Sequence, residues 1–200
     1  MKRVSLLLCA LFVLSTAGFG QTLTPAERDK AAQYLQQTRD GVVAATKGLS
    51  EAQMKFKSAP DRWSVAEVLE HIALAEDFLL QNVTDKIMKA PAGAADRDIA
   101  KIDAMVIAMI PDRSHKAQAP QPLVPTGRWT PAETLDHFLK SRAKTIEFLD
   151  STPDLRAHVA ESPLGQPLDA YEWLLFVAAH SERHTKQILE VKADPNFPKN

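Results

Sequence analysis

Four times along this chain a helix-starting device stands directly ahead of an apolar run with helical spacing. Thr24-Pro25-Ala26-Glu27, Ser64-Val65-Ala66-Glu67, Thr130-Pro131-Ala132-Glu133 and Asp169-Ala170-Tyr171-Glu172 each place Ser, Thr or Asp at a cap position and Glu three residues on. In such a capping box the cap side chain accepts a backbone N–H of the first turn, and the Glu reaches back to the cap's own N–H. Pro25 and Pro131 fall at the first helical position, where a missing N–H costs nothing. The runs that follow are about 25–47 (Ala31, Leu35, Val42, Ala45), 65–89 (Val65, Val68, Leu69, Ile72, Ala75, Leu79), 131–150 (Leu135, Phe138, Leu139, Ile146, Leu149) and 170–191 (Trp173, Val177, Ile188, Val191). No alternating strand pattern competes with them. Four long amphipathic helices must bury their stripes against one another, so the expected fold is all-α, a four-helix bundle.

The connections set an expectation for topology. Residues 48–63, with Pro60, join the first two long helices, and residues 151–168 join the last two. The link 90–129 is far longer. Within it, 98–110 has the apolar spacing of a short helix (Ile99, Ile102, Met105, Val106, Met109), and 117–127, with Pro120, Pro122 and Pro125, should be extended. A link of that length suits a bundle whose second and third helices run parallel. No internal repeat or domain boundary interrupts residues 21–200.

The first twenty residues read differently. Lys2 and Arg3 precede an apolar run from Val4 to Leu14 broken by Ser5, and small residues follow at 15–18 and at Gly20. This is the pattern of a secretory signal peptide over 1–20. The run is shorter than the roughly 20 apolar residues a transmembrane helix needs. Export to the periplasm or the medium is therefore expected, with no stable membrane insertion after cleavage. Cleavage would also remove Cys9, the only cysteine, so neither a disulfide framework nor a Cys-rich metal site is available. The net charge of −1 gives no footprint for nucleic acid.

Six histidines remain, and their placement is uneven. His180 and His184 stand one turn apart in the last helical run and continue the stripe of Trp173, Val177 and Ile188. At that spacing two imidazoles can chelate one ion. The zinc-protease signature H-E-x-x-H is absent, because Ser181 follows His180, and Glu182 lies about 200° around the helix from His180. His71 falls at the edge of the apolar stripe of the second run. Three imidazoles with a position left open form the pattern of a catalytic metal site. A bare H-x-x-x-H also arises as surface or core filler, so spacing alone leaves both readings standing. His115, His137 and His158 read as solvated, with His137 the one that could lean toward the others. Glu67, Glu70 and Glu76 lie on the helix of His71, but spacing places none of them in the site, and no general base is named.

Two stretches together resemble the DinB-like superfamily of four-helix bundle proteins. Trp63-Ser64-Val65-Ala66-Glu67-Val68-Leu69-Glu70-His71 is similar to that family's W-S-x-x-E-x-x-x-H. Glu172-Trp173 with Ala179 to Ile188 is similar to its E-W-x(6)-H-x-x-R-H-x-x-Q-I, and Ser162-Pro163-Leu164-Gly165 resembles the loop before its last helix. The likeness runs from about Thr24 to Val191. It implies an up-down-down-up bundle with the long crossover between the second and third helices. It also implies a divalent metal, zinc or nickel first, on His71, His180 and His184, and a homodimer. Some relatives use small thiols as transferases or isomerases, and others are described as metal-dependent hydrolases. Reduced small thiols are cytosolic, so expected export favours a hydrolase acting on a small molecule. A binder that uses the same cavity without catalysis is the alternative.

Overall fold

A computed structural model describes residues 22–199 of the 200-residue chain; the segment read as a signal peptide lies outside the described residues. Helices α1 (Pro25–Thr46), α3 (Val65–Asp85), α5 (Pro131–Ser151) and α6 (Ala170–Lys192) form the bundle, and a short α2 (Glu51–Lys55) and α4 (Ile99–Met109) lie in the connections. All four anticipated capping boxes form, with both of their hydrogen bonds in place. A fifth, built on Ser50 and Gln53, starts α2. It is silent in sequence because Gln replaces Glu and five residues are too few to show a period. The second long helix ends at Asp85, and Ile87–Lys89 continues it as one 3₁₀ turn.

The helix directions follow from the cross-links. Arg28 donates to the carbonyl of Thr152 while Arg142 donates to that of Leu35, so α1 and α5 are antiparallel. Tyr171 donates to the carbonyl of Glu27 and Lys192 to that of Ala45, so α1 and α6 are parallel. Glu70 reaches the backbone just ahead of α5 while Glu76 and Asp77 reach Arg142 and Ser141 within it, so α3 and α5 are parallel. This is the up-down-down-up order. Between α3 and α5 the chain must return to the other end of the bundle, and α4 makes that return along α6. Arg97, ahead of α4, meets Asp169 and Glu172 at the start of α6, and the carbonyl of Ile110, just after it, meets Arg183. The stretch 117–127 is largely irregular, with a 3₁₀ turn at Gln121–Leu123.

Strands β1 (Val159–Ala160) and β2 (Leu168–Asp169) pair antiparallel and deliver the chain into α6. The loop between them turns at Gly165, whose φ of 76° suits a residue without Cβ. Two residues per strand are too few to leave an alternating signature. Leu35, Leu69, Ile72, Phe138 and Leu174 are wholly buried. At the centre lies one ion pair, Arg142 with Glu76, both fully buried, at 2.7 Å. Arg142 also donates to Thr38 of α1 and Ser181 of α6, both at 2.8 Å, so this one side chain contacts all of the other three long helices.

Candidate metal centre

His71 is carried on the second turn of α3, and His180 and His184 on the middle turns of α6. The antiparallel packing of α3 on α6 brings all three together. One ring nitrogen from each lies within 4.8 Å of the other two, an arrangement able to hold a metal ion. His71 and His184 are buried, while His180 is half-buried. The indole of Trp63 packs on the His71 ring at 4.9 Å, and Phe176 stacks near His180.

At His71 and His184 the ring nitrogen facing away from the cluster is committed. Nδ1 of His71 lies 2.8 Å from the carbonyl oxygen of Leu123, in the crossover. A carbonyl only accepts, so this nitrogen carries the proton and Nε2 is bare. Nδ1 of His184 lies 2.8 Å from the amide oxygen of Gln187, so its Nε2 is bare too. The two Nε2 atoms face each other at 3.1 Å. Two lone pairs at that distance repel unless a cation stands between them. Two imidazoles on one tetrahedral ion at the usual metal–nitrogen length would have their donor atoms about 3.3 Å apart. The donor set therefore fits an imidazole-bound divalent ion.

Electrostatics agrees. Burial is the first cause that lowers all three histidines below their ordinary value of 6.5, with mutual repulsion adding at His180 and His184. His184 is pushed down to about 3. All three are neutral at physiological pH, the form that ligates metals.

The three glutamates of α3 are engaged elsewhere. Glu67 closes the α3 capping box and pairs with Lys57. Glu70 accepts the backbone N–H groups of Thr126, Gly127 and Arg128 and so pins the end of the crossover. Glu76 holds Arg142. Glu182 accepts from the Tyr34 hydroxyl, away from the imidazoles. His137 does not lean into the site: it pairs with Asp77 at 2.6 Å and stacks on Trp129. His115 is exposed as anticipated, but His158 is half-buried and bonded to the carbonyl of Ala90. Sequence reasoning missed the supporting partners. Gln187 had a signal, since it stands three residues after His184 on one helix face. The Leu123 carbonyl had none, because a backbone group has no residue type to read.

The profile of the DinB superfamily matches residues 34–188 of the chain. The uncharacterized protein YuaE of Bacillus subtilis (strain 168) is 24% identical over 148 residues, 73% of this chain and 87% of that one. YfiT from Bacillus subtilis, described as a probable metal-dependent hydrolase with an unusual four-helix bundle topology, superposes with a TM-score of 0.56 at 15% identity, over 89% of this chain and 93% of its own. With the family profile covering α3 and α5 whole and most of α1 and α6, and the same bundle in a solved structure, the chain belongs to the DinB superfamily.

Proposed function

We propose that this protein holds one divalent ion on His71, His180 and His184 and acts as a metal-dependent hydrolase of a small molecule. The observation that carries the reading is the pair of bare Nε2 atoms at 3.1 Å, each made bare by an acceptor on the far side of its ring. The likeness to YfiT, described as a probable metal-dependent hydrolase, supports the reaction class. Zinc and nickel both suit imidazole donors. A bound ion would supply Lewis acidity at the bundle core, undiminished by ligand charge because all three ligands are neutral.

The chain's own residues supply orientation and surroundings. The Leu123 carbonyl and the Gln187 amide fix two imidazoles in the ligating tautomer, and Trp63 and Phe176 wall the cluster with apolar surface. Glu67, Glu70 and Glu76 of α3 are occupied in a cap, a loop clamp and the core ion pair, so none of these three is free to act as a base. The signal-peptide pattern of residues 1–20 supports export, and with it a substrate met outside the cytoplasm.

Metal analysis of protein purified without a histidine tag should find about one ion per chain. The His184→Ala variant should lose that ion and keep its helical circular dichroism. A screen of esters, amides and phosphate esters should find an activity that a chelator removes. Protein that takes up no ion on reconstitution rules out the metal, and an ion bound without any hydrolysis across the screen leaves a binder rather than an enzyme.

A further inference from the structure

We propose that Gln187 is a positioning residue for this centre, holding His184 in the tautomer that turns a bare Nε2 toward the ion, and that Arg113 of the crossover holds Gln187 in turn. This rests on the three-imidazole reading of the site.

A neutral imidazole carries one N–H, and the nitrogen without it is the ligand. His184 Nδ1 lies 2.8 Å from Gln187 Oε1. An amide can present either its oxygen or its NH₂ group to a neighbour. With the NH₂ group turned to the ring, Nδ1 would accept, the proton would move to Nε2, and Nε2 could no longer ligate. Arg113 decides between these states. Its Nη1 lies 3.4 Å from the same Gln187 oxygen. A guanidinium only donates, so the amide oxygen is kept where both Arg113 and the His184 N–H can reach it.

Arg113 is itself fixed. Its Nε and Nη2 donate to the two carboxylate oxygens of Glu190 at 2.6 and 2.7 Å. The backbone around Arg113 is held by Arg183, the residue before His184, which donates to the carbonyls of Ile110, Asp112 and His115. His184, Gln187 and Glu190 recur every three residues on α6, and Arg113 comes to them from the segment after α4. The relay Glu190–Arg113–Gln187–His184 thus ties the long crossover to the ligand sphere. The equivalent support of His71 is a backbone carbonyl, beyond the reach of substitution. Gln187 is the support that mutation can test.

The test measures zinc affinity by competition with a chromophoric chelator, with the visible spectrum of the cobalt-substituted protein as a second readout. Gln187→Leu should weaken zinc binding by about 10–100-fold with unchanged helical content. Gln187→Glu should restore affinity to within a few-fold of wild type and restore the cobalt spectrum, because a carboxylate can only accept and enforces the same tautomer. Arg113→Met should cost less than Gln187→Leu and add nothing in its background. Wild-type affinity in Gln187→Leu overturns the proposal. So does a Glu variant no better than the Leu variant, which would make Gln187 a packing residue, and so does additive behaviour of Arg113→Met. If the wild-type protein itself binds neither zinc, cobalt nor nickel, the three-imidazole reading fails and the positioning role falls with it.

Discussion

At the scale of single residues, burial sets the protonation of this molecule, and it acts in opposite directions at its two ends. Around the imidazoles it favours the neutral base. At the start of α6 it favours the neutral acid. There Glu27, Asp103, Asp169 and Glu172 surround only two guanidiniums, Arg97 and Arg156. Glu172 is wholly buried; its Oε2 takes the N–H of Asp169 and a bond from Arg97, while its Oε1 has no hydrogen-bond partner and lies 3.6 Å from Arg156. Burial first, then the charge of Asp169, push Glu172 up to about 7, and burial also raises Asp169, so the two carboxyls act as a pair. Between the ordinary value of 4.5 and about 7 the folded chain keeps a proton that the unfolded chain has released. This contribution to stability is therefore lost as pH rises through that window. Glu172→Gln, neutral throughout, should gain on wild type by about 2 kcal/mol between pH 5 and pH 8 in urea melts. A constant difference across that range would show that Glu172 is ionised in both states.

At the scale of elements, the caps start each helix and the Arg142–Glu76 pair sets how the four long helices meet. Arg142 of α5 spans to Glu76 of α3, the Leu35 carbonyl and Thr38 of α1, and Ser181 of α6, and Thr145 closes the group on Glu76 at 2.7 Å. Ser181 is the neighbour of His180, so this polar group lies next to the imidazole cluster along α6. Removing one member of a buried ion pair leaves the other charge without a partner, at about 3–5 kcal/mol. Arg142→Met should cost that much in chemical denaturation, and the Glu76→Leu/Arg142→Met double variant should recover most of it. A double variant as unstable as the single one would show that the cost comes from packing rather than from the stranded charge. The helices themselves were legible because caps and apolar periods are local. Helix α2 and the β1–β2 pair were not, because five residues and two-residue strands are too short to carry a period. The partnership of Glu76 with Arg142 was not legible either: the two stand 66 residues apart, and only packing brings them together.

At the scale of the whole molecule, the crossover does two things at once. It reverses direction so that α3 and α5 can run parallel, and it supplies backbone and side-chain groups to the centre. Glu70 is its fastening. Burial alone would raise this carboxyl, but the N–H groups of Thr126, Gly127 and Arg128 outweigh that and hold it below its ordinary value. Glu70→Ala should leave those three N–H groups without their acceptor and loosen the segment that carries Leu123. Hydrogen exchange should then quicken across 121–128 while the helix cores stay protected, and zinc affinity should fall with it. Unchanged exchange in that segment would show that the crossover is held by its other contacts.

The sequence by itself determined the four long helices, their starting residues, the length of the link that permits parallel packing, and the three histidines able to meet. The helices, their caps and the His180–His184 pair are written in neighbours a few residues apart, within reach of a cap or one helical turn, and His71 joined them through the family resemblance. The tertiary structure alone decided which nitrogens face inward, that the α3 glutamates are spent on loops and core, and that Gln187, Arg113 and the Leu123 carbonyl support the imidazoles. These depend on where a ring is turned and on which distant group receives its proton. Such relations form only when the crossover is laid against α3 and α6, so no local pattern records them.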